Sequence, residues 1–258
     1  MSTFNYKNIQ INYEVYGSGN VVVLLHGFLE NMAMWSDITP VLAKKNKVIA
    51  IDLLGHGKTG SLGYIHTMED QARMVNELLQ HLKLRKFQFI GHSMGGYVAL
   101  AFADLFPTKT KSVSLMNSTA YPDTEEKQIN RDRAIEAVKK SHETFIKVSI
   151  PMLFSAENRE RLPEEINQVI QEALKTPKQG IIAALEGMKI REDRTILLQR
   201  GTFKKLLILG KSDPVLEYQA TIKQAENTDT EIVEFQNGHM SHIEDFESLL
   251  ETFKSFVS

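Results

Sequence analysis

Cysteine is absent from all 258 residues. That excludes a disulfide framework, a thiolate zinc site and a cysteine nucleophile. No apolar run approaches the roughly 18 residues that suggest a membrane span. The stretch Met1-Ser2-Thr3-Phe4-Asn5-Tyr6-Lys7 has no charged region leading into an apolar one, so no signal peptide is expected. Neither sign of charge dominates. Thirty Lys and Arg face 32 Asp and Glu, a formal net charge of −2. Such a balance gives no reason to expect nucleic acid or an anionic membrane as partner. There is no internal repeat and no low-complexity tract. The expectation is a cytoplasmic protein acting on a small molecule, its oligomeric state unknown.

What is present is a rhythm. Hydrophobic residues make up 42% of the chain, enough for the core of one large α/β domain. Residues 4–16 alternate apolar and polar, and Gly17-Ser18-Gly19-Asn20 supplies a turn, so this region reads as a pair of antiparallel edge strands. Val21-Val22-Val23-Leu24-Leu25 is a continuous run suited to burial on both faces. A helical pattern around Met34, Trp35, Ile38, Val41 and Leu42 precedes the strand Val48–Ile51. Helix 68–82, strand 87–90, helix 93–106 and strand 112–116 follow. Late in the chain come strand 205–209, a helix at about 215–225, strand 231–235 and a last helix at about 242–256. Alternating strands and helices predict a mostly parallel sheet of about eight strands with helices on both faces.

The stretch Gly91-His92-Ser93-Met94-Gly95-Gly96 lies between a β-prone run and a helical Ala/Leu/Phe pattern. A strand turning this abruptly into a helix forces the middle residue into a sparsely populated conformation, and flanking glycines keep side chains clear. Ser93 would then expose its hydroxyl at a strand's carboxyl end. The amide of Met94, in the first helical turn, suits a developing oxyanion. No Gly-Lys-Ser/Thr follows, so a phosphate-binding loop does not fit.

A serine hydroxyl needs a base, and the base needs an orienting acid. The last two strands end at Asp213 and at His239, in the order Ser, Asp, His. His239 is preferred to His242 because it follows a glycine directly after the strand. Phe28, after His26-Gly27, is the candidate for a second oxyanion amide. Asp52, His26 and His56 read as groups that order loops. His66, His81 and His142 fall in lid or surface helices. No cofactor and no metal are called for.

From 119 to 199 the strands stop. Amphipathic segments at 124–148, 163–175 and 177–188 are separated by Pro151, Pro163 and Pro177. Their apolar residues, among them Ile129, Ile135, Val138, Phe145 and Met152, are expected to bury. Residues 119–199 are therefore read as a helical lid inserted in a core of 1–118 and 200–258. The pocket beneath is expected to be apolar and to use His92, Leu29, Met152, Phe154, Met188, Val215 and Met240, favouring an uncharged or weakly polar acyl group.

Taken together, His26-Gly27-Phe28, Asp52-x-x-Gly55-His56-Gly57, Gly91-x-Ser93-x-Gly95-Gly96, Gly210-x-x-Asp213 and Gly238-His239 resemble the α/β-hydrolase superfamily. Gly187-Met188-x-x-Arg191-x-Asp193-Arg194 resembles the end of the lid in its esterase and enol-lactonase branch. The resemblance implies the α/β-hydrolase fold and a cofactor-free serine hydrolase acting on a carboxylic ester, lactone or thioester. Two alternatives share the fold. One is a proton-abstracting lyase of the menaquinone pathway, against which Tyr97 stands where such relatives tend to carry arginine. The other is a slow-turnover ligand-binding or signalling protein.

Overall fold

The computed structural model describes residues 2–258. Eight strands form one sheet: β1 (Ser2–Tyr6), β2 (Ile9–Gly17), β3 (Asn20–Leu25), β4 (Asn46–Ile51), β5 (Phe87–His92), β6 (Thr110–Met116), β7 (Lys204–Gly210) and β8 (Glu231–Phe235). Their spatial order is β1-β2-β4-β3-β5-β6-β7-β8. The first two strands run antiparallel and the six from β4 to β8 are parallel neighbours. The hairpin joining β1 to β2 turns at Lys7 and Asn8, both with positive φ, as a two-residue turn matched to strand twist requires. Gly17 to Asn20 carries β2 into β3, but β2 pairs with β4 instead.

Each parallel strand divides its side chains between two cores, because successive residues point to opposite faces. Val23, Leu25, Ile49, Ile51, Phe89, Val113, Leu115, Leu207 and Leu209 face one core. Val22, Leu24, Val48, Ala50, Ile90, Met116, Leu206 and Ile208 face the other. Helices α2 (Met68–His81) and α3 (Met94–Leu105) cover the first face. Trp35, the short α1 (Thr39–Leu42) and the last helix cover the second. The expected single helix around Trp35 is a 3₁₀ turn at Met32–Trp35 followed by α1. Pro40 explains the division, since its ring fits only the first turn of a helix.

Between β6 and β7 lie five helices: α4 (Glu125–Ser149), α5 (Ala156–Arg161), α6 (Pro163–Ala173), α7 (Lys178–Lys189) and α8 (Thr195–Arg200). α4 breaks at Ser141, whose φ of −157° and ψ of 99° are not helical. The insertion is closed at its base, where the Arg194 amide donates to the Ala120 carbonyl at 2.8 Å. Two burial expectations fail there. Ile129 is 45% and Met152 52% exposed, because each stands on the outward side of its element. After β7 come α9 (Tyr218–Lys223), α10 (Ser241–Glu244) and α11 (Phe246–Phe256). The expected last helix is thus two, separated at Asp245. No helix among the described residues is long and apolar enough to cross a membrane.

Candidate active site

The strand order reverses around β3, since β4 lies on one side of it and β5 on the other. Crevices of parallel sheets open at such a point, beyond the carboxyl ends of the strands. Three short turns meet there, after β5, β7 and β8. Ser93 has φ 48° and ψ −112°, a left-handed region that costs a non-glycine residue of the order of 1–3 kcal/mol. Close packing holds it there: a Cβ on Gly95 would run into the Leu25 carbonyl, and one on Gly91 would meet Gly95 and Gly96 at 2.5 Å. The Ser93 amide donates to Met116 O at 2.9 Å, and Ser118 Oγ donates to Ser93 O at 2.8 Å.

Ser93 Oγ lies 2.9 Å from His239 Nε2, and His239 Nδ1 lies 2.8 Å from Asp213 Oδ2. With a carboxylate at Nδ1, that nitrogen carries the proton and Nε2 is free to accept one from Ser93. Asp213 is fixed in turn. Its Oδ1 accepts the Val215 and Leu216 amides at 2.8 and 3.0 Å, and Asn117 Nδ2 donates to Oδ2 at 3.2 Å. Burial opposes its ionisation, yet His239 and the two amides hold the carboxyl below its ordinary value. Asn117 is a partner that sequence reading passed over. Its side chain donates to Gly238 O and accepts from Ser241 Oγ, bridging the ends of β6 and β8. In the sequence β6 is followed by Asn117-Ser118, with no acid at its tip and nothing that marks this bridging role.

Phe28 lies three residues past the end of β3, and Met94 directly follows Ser93 as the first residue of α3. Among the described residues neither of their backbone amides donates a hydrogen bond. Of the loop residues, Asp52 accepts from the amides of Met32 and Lys58 and from Asn12 Nδ2. His26 Nε2 accepts the Leu53 amide at 2.9 Å. His66 is not helical. It is buried before α2, where its Nε2 accepts the Leu62 amide.

A cavity of about 310 Å³ is lined by Phe28, Tyr97, Val215 and Leu216 and by Asp123, Lys127, Arg131, Phe145 and Leu185 from the insertion side. Of the seven residues expected in the pocket, only Val215 lines it. Leu29 lines a separate cavity beside Glu30 and His242. Met152 is exposed, while Phe154, Met188 and Met240 are packed into the core. His92 is buried behind His239 rather than beside the cavity, their ring centroids 5.1 Å apart. A helical pattern gives the side of a segment that buries, not which buried residue meets a void.

The cavity is not the apolar chamber expected. Asp123 is claimed by Arg131 Nε at 2.8 Å and by Arg191 Nη1 at 2.5 Å. Arg191 also stacks 4.1 Å from the Tyr97 ring centre, a favourable cation–π distance. Lys127 has no such carboxylate of its own. It is exposed by total surface, yet burial of part of its side chain lowers its ammonium pKa, opposed by Asp123 and Asp213. Lys127 and Arg131 against the one lining carboxylate, Asp123, leave this wall with a net positive charge.

The mostly parallel sheet, covered by helices on both faces and carrying the Ser–His–Asp arrangement at its carboxyl edge, is the architecture of the α/β-hydrolase fold. The chain belongs to the family described as alpha/beta hydrolase fold, which matches residues 20–246. It is similar to a thermophilic esterase from Thermogutta terrifontis, solved with malate bound. The two share 29% identity and a TM-score of 0.89, over 99% of this chain and 97% of that one. A putative 2-succinyl-6-hydroxy-2,4-cyclohexadiene-1-carboxylate synthase of Bacillus subtilis is 30% identical over 252 residues, 91% of this chain and 90% of the relative. The dihydrolipoyllysine-residue acetyltransferase component of the acetoin cleaving system of Pseudomonas putida is 28% identical over 254 residues. That match takes in 95% of this chain but only 65% of the longer relative.

Proposed function

We propose that the protein is a serine hydrolase that cleaves a carboxylic ester, lactone or thioester by way of an acyl-enzyme. Ser93 Oγ attacks the acyl carbon while His239 Nε2 takes its proton, and Asp213 holds the imidazole and stabilises it when charged. The tetrahedral oxyanion rests on the Phe28 and Met94 amides. Collapse expels the alcohol or thiol, which leaves with the proton from His239. Water then repeats the sequence on the acyl-enzyme and releases the acid. The observation that carries this reading is the unbroken chain Ser93–His239–Asp213, with Ser93 on its strained turn.

Residues 119–199 act in this reading as a lid that supplies the far wall of the cavity. The substrate is apolar where it passes Phe28, Val215 and Leu216, and carries a polar or anionic group that reaches Lys127. The test is a panel of p-nitrophenyl esters, neutral and carboxylate-bearing, run on the wild type and Ser93→Ala. Hydrolysis that vanishes in the variant supports the reading. A wild type without activity, or an active Ser93→Ala, overturns it.

A second reading is favoured by two observations: the positive cavity wall and the extent of the likeness to the Bacillus synthase. Here the same dyad, His239 activated beside Ser93, would abstract a proton from a carboxylate-bearing substrate and promote elimination rather than acyl transfer. Formation of 2-succinyl-6-hydroxy-2,4-cyclohexadiene-1-carboxylate by the wild type, without ester turnover, would select it.

A further inference from the structure

Behind the triad lies a second hydrogen-bonded relay that the hydrolytic steps do not use. Glu30 Oε2 accepts the Gly27 amide at 2.7 Å and the His92 Nδ1 proton at 2.6 Å. On its other side His92 Nε2 meets the backbone carbonyl of His239 at 3.0 Å. Both groups facing the ring are acceptors, a carboxylate and a carbonyl, so each contact needs a proton on the nitrogen. His92 therefore carries two protons and a positive charge, buried and paired with Glu30. Gly27 is required for the contact. A Cβ there would lie 2.5 Å from Glu30 Oε2 and 2.7 Å from His92 Nδ1.

We propose that Glu30 and His92 are positioning residues whose charged pair ties the oxyanion loop to the backbone of the base. This inference rests on the serine-hydrolase reading. One carboxylate oxygen fixes the residue before Phe28 and, through His92, the residue that takes the serine proton. The two must keep their spacing to within a fraction of an ångström for attack and oxyanion binding to coincide. His242 completes the cluster, with all three ligand-capable atoms within 4.8 Å of one another. A doubly protonated His92 has no lone pair to offer, so the cluster is an ion pair beside a neutral histidine rather than a cation site.

The groups facing His92 are Glu30 and His26 from the loop after β3, His239 with Asp213, and His242 from α10. Burial alone would lower the His92 pKa, but Glu30 wins and holds it above the ordinary value of 6.5. Burial likewise opposes the Glu30 charge, and His92 nevertheless brings that carboxyl down to about 2. The relay accordingly persists to higher pH than an ordinary histidine would allow and fails as His92 loses its proton.

The experiment reads the His92 ring nitrogens by ¹⁵N NMR at pH 7.5, assigned by their loss in His92→Gln, together with kcat and KM across pH for the wild type and Glu30→Gln. Glutamine keeps the volume and can still accept the Gly27 amide, but removes the charge. The expected results are two protonated nitrogens in the wild type and a single neutral tautomer in Glu30→Gln. In that variant kcat falls about tenfold or more while KM stays within about twofold, and the alkaline limb of kcat moves to lower pH. A neutral His92 in the wild type overturns the proposal. So does a folded Glu30→Gln with unchanged kcat and pH profile, which would leave the pair a structural contact only. The NMR arm needs no substrate, so absence of Ser93-dependent hydrolysis would fail the hydrolase reading and leave the charge state of His92 decided on its own.

Discussion

Arg191 Nη1 lies 2.5 Å from Asp123 Oδ1, both side chains buried, and this pair closes the helical insertion on itself. Asp123 stands just ahead of α4 and Arg191 just after α7, 68 residues apart along the chain. The same guanidinium donates to the carbonyls of Tyr121 and Met188 and lies over the Tyr97 ring. It thereby links the start of the insertion, its end and the helix that follows Ser93.

Removing one partner leaves the other charge buried and uncompensated. Arg191→Ala should therefore lower unfolding free energy by about 3–5 kcal/mol, read by urea denaturation. Asp123→Asn, which strands two arginines, should be no milder. If either variant matches wild-type stability, the pair does not hold the insertion.

Acid stability should fall before the carboxylates titrate. His56, His66 and His242 are buried, and burial pulls their pKa values to about 3, 4 and 4, from 6.5. The unfolded chain takes up these protons near pH 6.5 while the folded one refuses them. Stability they contribute is complete above pH 6.5 and is lost as pH falls toward 4, by about 1.4 kcal/mol per pH unit for each group. Asp123 and Asp213, held below 3.8, add a further loss only under more acid conditions. Denaturant midpoints between pH 7.5 and 4.5 check this, and a flat profile would contradict it.

Asp213→Asn keeps the shape of the acid but turns an NH₂ toward His239 or leaves the wrong tautomer facing Ser93. On the hydrolase reading kcat should drop on the order of 10⁴-fold with little change in folding, because Asn can still accept the Val215 and Leu216 amides. Circular dichroism beside the ester assay separates the two effects. A variant within tenfold of wild type would mean that another acid orients His239.

Lys127 is the cation of the cavity wall without a carboxylate of its own. Lys127→Met should raise KM for carboxylate-bearing esters about tenfold and leave neutral esters within about twofold. Equal effects on both classes would show that Lys127 contributes packing and not charge recognition.

How far the sequence carries differs from feature to feature. The glycines around Ser93, the alternating apolar strands and the placing of Asp213 and His239 just past strand ends are local properties, set by backbone sterics and by side-chain period. They determined the fold class and the residues that stand at the carboxyl ends of the strands, while the order of the strands came only with the structure. Which side chains line the cavity was decided elsewhere. Met188 and Phe154, expected beneath the insertion, bury in the core, while the charged Lys127 and Arg131 line the cavity with Phe28 and Val215. The Glu30–His92–His239 relay joins residues 62 and 147 positions apart. Nothing in the sequence near Glu30 distinguishes it from an ordinary loop glutamate. Such pairings depend on how separate strand ends and an inserted helical segment pack, an arrangement that only the tertiary structure fixes.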